Sequence, residues 1–106
     1  LNIPATKPDR KFILGLIEKE LERANTKFPP FHSTWEGAAI LREEHDELWE
    51  EIRTQKNGDT INSNMIGEAV QVAAMAIKFL ESLPWNNKET VNKQYKGIVL
   101  NAGFGG

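Results

Sequence analysis

An all-α helical bundle is the fold this 106-residue chain predicts. Apolar residues recur at helical spacing, capping residues precede each such stretch, and Pro, Gly and Asn break the pattern where strand alternation never starts. Three long helices and a short fourth are expected, in one domain over residues 1–106 with 97–106 as an extended tail. The first helix covers about residues 7–25, with Thr6 as its cap, Pro8 tolerated in the first turn and Asp9 at the third helical position. Phe12, Ile13, Leu16, Ile17 and Leu21 share one of its faces. KFPPFH, residues 27–32, ends it. Ser33 and Glu36 then form a capping box that opens a second helix, about 34–55. QKNGD supplies a turn, and TINSNMIGEAVQVAAMAIKFLESL runs as the third helix until Pro84 forbids continuation. Asn caps and a closing Gly97 delimit the short fourth helix in NNKETVNKQYKG.

The third helix is apolar around most of its circumference, which places it at the centre of the bundle. A chain of this size has a modest core, so packing as a homo-oligomer, dimer or tetramer, is expected. A net charge of −2 with scattered Lys and Arg builds no basic face, which argues against a nucleic-acid partner. No apolar run approaches the roughly 20 residues of a bilayer span, and no secretory pattern opens the chain, so a cytoplasmic location without membrane contact is expected. With no Cys and only two His, a metal site here must be built mainly from oxygen ligands.

Residues 41–51, LREEHDELWEE, carry six acids in eleven positions. On a wheel of about 100° per residue, Leu41, Leu48 and Ile52 form the apolar stripe, and Glu44, Glu47 and Glu51 run along its edge with Ile40. Asp46 falls opposite, and Glu43 and Glu50 lie on a flank. In the third helix Glu68 and Gln71 share a face with Val72, Met75 and Phe79. Acids presented from two packing faces need partners, because an unpaired buried carboxylate costs several kcal/mol or protonates. Spacing alone leaves two solutions open: a divalent cation in an oxygen cage, or internal salt bridges with Lys or Arg.

EEHDE followed by a second acidic helix with EAVQ resembles the EExxE and ExxD signature of the all-α nucleoside triphosphate pyrophosphohydrolases, the MazG-like family. The likeness covers roughly residues 30–83, including ELWEEI after the first motif and VAAMAIKFLESL after the second. It implies hydrolysis of a nucleoside triphosphate, ribo or deoxy, between the α and β phosphates, with Mg²⁺ or Mn²⁺ held by acids of the two helices. Carried over by position, Glu44, Glu47 and Glu68 would be the ligands, and Gln71 stands where the family has its fourth acid. An amide gives an oxygen but no charge, which predicts weaker metal binding. Glu43, the first acid of the motif, would assist the attacking water or orient a ligand. Lys78, next to Gln71 on the wheel, and Lys93 and Lys96 are candidates for phosphate contacts. His32 and Trp35 are candidates for stacking on or hydrogen-bonding a nucleobase, set against the plainer readings of a surface His and a core Trp.

The main alternative is a non-catalytic helical oligomer that binds nucleotide or regulates, with Gln71 marking lost hydrolysis. A ferritin-like di-iron bundle would need Glu-x-x-His pairs, and neither His32 nor His45 has a Glu three residues before it.

Overall fold

A computed structural model describes residues 7–55 and 60–85. They form three helices, α1 (Arg10–Lys27), α2 (Thr34–Thr54) and α3 (Ser63–Ser82), with no strand among the described residues. The expected fourth helix and the tail at 97–106 lie outside the described residues, as do Lys93 and Lys96.

Each helix starts where a short polar side chain satisfies a free backbone N–H. Asp9 accepts from the Phe12 N–H at 2.9 Å, so Asp9 itself is the cap of α1 and the helix begins later than the Thr6 expectation placed it. The reason is local: a carboxylate accepts more strongly than a hydroxyl, and Pro8 then sits before the cap. At the other end α1 runs on to Lys27, and Phe28 leaves the helix ahead of Pro29 and Pro30. Ser33 accepts from the Glu36 N–H at 3.0 Å, as the capping box requires. The Glu36 carboxylate reaches back one residue further than usual, accepting from the His32 N–H at 2.9 Å. Asn62 caps α3 by accepting from the Met65 N–H at 2.9 Å.

Both α1 and α2 pack on α3, and the α1 and α2 backbones do not approach each other. The third helix is therefore central within the chain, as its apolar circumference predicted. Ala24 of α1, Phe31 of the α1–α2 loop, and Ala74 and Met75 of α3 form the buried core, with Ile17, Leu21, Ile40, Leu41 and Phe79 packed around it. The loop is fastened to α3 by the Phe31 N–H, which donates to Ser82 Oγ at 3.0 Å. Phe12 and Ile13 are not core residues here; they stand 36% and 40% exposed, beyond the stretch of α1 that contacts the rest of the core. Among the described residues no helix is long and apolar enough to cross a membrane.

Glycine fixes the α2–α3 crossing. A Cβ on Gly37 would overlap Phe79 Cδ1 and lie 2.9 Å from Phe79 Cε1 and 3.2 Å from Phe31 Cδ2, whereas one on Gly15 or Gly67 would meet nothing within 4 Å. Gly15→Ala and Gly67→Ala should each raise stability by roughly 0.5–1 kcal/mol through helix propensity. Gly37→Ala should instead lower it by roughly 1–3 kcal/mol, since overpacking two rings outweighs that gain. Urea melts of the three variants check both signs.

Candidate functional site

The site follows from the antiparallel run of α2 against α3. Glu44 and Glu47 are one turn apart on α2, and the packing sets them against Glu68 of α3. One carboxylate oxygen from each of these three residues lies within 4.8 Å of the others. Glu44 Oε2 and Glu68 Oε2 are buried and have no hydrogen-bond partner. Salt bridges do not solve the problem. Among the described residues the Arg and Lys ion pairs are Arg23 with Glu20 and Arg53 with Glu50, and none reaches Glu44, Glu47 or Glu68.

The electrostatic consequence is large. Burial, with the charges of Glu47, Glu68, Glu43 and Glu20 behind it, pushes the Glu44 carboxyl up to about 7. Burial also raises Glu68, and the hydrogen bond and charge of Glu47, then the charge of Glu51, add to it. Two orphaned oxygens and a third carboxylate in reach are a hard-oxygen donor set of the kind that suits a divalent cation such as Mg²⁺ or Mn²⁺. The residues present therefore fit the ion that the resemblance implies.

Beside the triad opens a pocket of about 400 Å³, walled by α1 and α2 and floored by α3. It exists because α1 and α2 are held apart on α3. At one end lie Glu43, Glu44 and Gln71; at the other lie Phe28, Phe31, His32, Glu36 and Lys78. Arg23 and Glu20 face it from α1, joined by two hydrogen bonds of 2.9 and 2.6 Å.

Of the residues singled out in the sequence, Glu44, Glu47 and Glu68 converge, and Glu43, Gln71, His32 and Lys78 line the pocket. Trp35 does not join them: it is 85% exposed and absent from the pocket wall, because on the α2 wheel it points opposite Glu44. It is equally not a core residue. Sequence reasoning missed Phe28, Phe31, Glu36 and the Glu20–Arg23 pair. Phe28 and Phe31 belong to what reads as a helix-breaking loop, and Glu36 is already spent as a cap.

The chain matches no family model, no curated protein and no solved structure.

A pH dependence follows for the metal-free protein. The folded-state pKa of Glu44, about 7, lies above its ordinary value of 4.5, so the folded state holds a proton that the unfolded state has released. The associated stability is fully present below the ordinary value and is lost as pH rises through about 7. In chelator the melting temperature should fall between pH 5 and pH 8 by several degrees, and Glu44→Gln should flatten that slope. Thermal melts across the range, read as the difference between the two proteins, check it.

Proposed function

We propose that this protein is a Mg²⁺-dependent nucleoside triphosphate pyrophosphohydrolase, releasing a nucleoside monophosphate and pyrophosphate. The observation that carries the reading is the convergence of Glu44, Glu47 and Glu68, with two buried oxygens lacking partners, at the edge of a nucleotide-sized pocket. The resemblance of EEHDE and EAVQ to the MazG-like signature supports the same reading from the sequence side.

Glu44, Glu47 and Glu68 would hold the ion, whose contribution when bound is to neutralise phosphate charge and polarise the reacting phosphoryl group. Gln71, on the pocket wall one turn from Glu68, would offer its amide oxygen as a neutral ligand. Glu43 is exposed and also lines the pocket, and its carboxylate would accept a proton from the attacking water. That water forms a bond to the α-phosphorus while the bond to the bridging oxygen breaks, and pyrophosphate leaves with the electron pair. Phe28 and Phe31 line the far end of the pocket. Nucleoside triphosphate is thus the partner of the site; packing of the chain as a cytoplasmic homo-oligomer belongs to the same proposal.

Mg²⁺ should raise the melting temperature, since an ion at a hundredfold excess over its dissociation constant adds about 2.7 kcal/mol to stability. Glu68→Gln should abolish that rise and lower kcat by about 100-fold or more, beyond what the loss of an outer-shell partner costs. Pyrophosphate release measured over a set of nucleotides, with and without Mg²⁺, tests the activity itself. No release from any nucleotide, alongside intact Mg²⁺ stabilisation, would favour the non-catalytic binding reading that Gln71 suggests.

Gln71→Asp supplies a further test. Restoring a charge beside the triad should tighten Mg²⁺ binding and lower the metal concentration for half-maximal hydrolysis. A core amide would behave oppositely: the variant would lose about 1–3 kcal/mol of stability with metal dependence unchanged. Metal titrations and melts of this one variant separate the two.

A further inference from the structure

Lys78 is the one charged residue among the described residues that is buried, at 3% exposure. Its Nζ lies 5.2 Å from the Phe31 ring centre and 6.0 Å from that of Phe28. It donates a single long hydrogen bond of 3.4 Å to the Phe28 carbonyl, and no carboxylate pairs with it among the described residues. An ammonium has three protons to place, and burying it without partners costs several kcal/mol. Lys78 lines the pocket, and a ligand bound there would give those protons an acceptor.

Two distances decide which part of the ligand that is. Lys78 lies seven residues beyond Gln71 on α3, about 10 Å along the axis, and Glu36 lies eight residues before Glu44 on α2, about 12 Å. Both rulers put the Lys78 end of the pocket a nucleoside's length from the acids. Its surroundings are wrong for polyphosphate. Phe28, Pro29 and Phe31 are apolar, and Glu36 is held in its charged form chiefly by the backbone N–H of His32. They are right for the flat, apolar faces and polar edge of a base.

Resting on the pyrophosphohydrolase reading, we infer that Lys78 and Glu36 are specificity-determining residues that select a base whose edge carries a carbonyl oxygen beside a ring N–H. The ammonium only donates and takes the carbonyl; the carboxylate only accepts and takes the N–H. Guanine, thymine and uracil present that pair. Adenine and cytosine present an amino group where the carbonyl would be, which sets N–H against the ammonium. Lys78 is thus a base contact and not the phosphate contact that its place beside Gln71 suggested.

The test is calorimetric binding of dGMP, dTMP, dAMP, dCMP and inorganic tripolyphosphate in Mg²⁺, to the unaltered protein and to Lys78→Met, which keeps the stem between the two rings. The expected result is that dGMP and dTMP bind about tenfold or more tighter than dAMP and dCMP, and that Lys78→Met removes the difference while tripolyphosphate binding stays unchanged. A flat or reversed base ranking overturns the inference. So does a variant that loses tripolyphosphate as strongly as dGMP, or one that changes nothing. Should Lys78→Met fail to fold, the 2-aminopurine deoxynucleoside monophosphate, which lacks both the guanine carbonyl and its neighbouring ring N–H, reads the paired contact from the ligand side. Binding as tight as dGMP overturns the inference, and a loss of about tenfold supports it. Because these ligands are not substrates, base ranking without pyrophosphate release overturns only the enzyme reading, and release with a flat ranking overturns only this one.

Discussion

Two helices whose backbones do not approach each other are held in place by a third, and the pocket depends on that constraint. α1 and α2 both lean on α3, so the space between them is left open above it. The contact that sets the α2–α3 separation is Gly37 against Phe79, with Phe31 beside it. A hydrogen at that position lets the two backbones close to the distance at which Glu44 and Glu47 face Glu68. The core that secures this is small, with Ala24, Phe31, Met65, Ala74 and Met75 its buried apolar side chains. Beside that small core, burial and the neighbouring carboxylates raise Glu44.

The helices were legible because their signals are local. Ser33 and Glu36 announce the start of α2, Pro84 marks the end of α3 and periodicity identifies it as central, but α3 starts at Ser63 behind the Asn62 cap and not at Thr60 as the sequence reading placed it. The start of α1 was less so, since Thr6 and Asp9 both satisfy capping rules and only the competition between hydroxyl and carboxylate decides. Among the site residues, the wheel put Glu44, Glu47 and Glu51 along one packing edge and Glu68 on another, and it was the resemblance to the MazG-like signature that singled out Glu44, Glu47 and Glu68. Trp35 was misread because proximity in sequence to a motif says nothing about azimuth on the helix. The pocket's apolar end was not legible at all. It is assembled from a loop, the first turn of α2 and the last turns of α3, and only the tertiary fold brings these together.

The pocket is chemically polarised along its length. Among the described residues, three acids gather at one end with no salt bridge to a cation, and at the other Lys78 lies without a salt bridge to a carboxylate. A ligand of uniform character would satisfy one end and aggravate the other. Under the proposed function, a molecule carrying its negative charge at one extremity, bridged to the acids by an ion, and a neutral heteroaromatic ring at the other would satisfy both.

Glu36 belongs to two structures at once. Its carboxylate holds the His32 N–H at the head of α2 and also forms part of the pocket wall. Anything that draws on that carboxylate therefore tugs on the first turn of the helix, and the His32 amide becomes a built-in gauge of occupancy. A ligand that locks the side chain in place would slow exchange of that amide proton with solvent, and one that pulls the carboxylate away would speed it. The helix end would thus report, through a single backbone hydrogen, an event taking place beyond its own boundary.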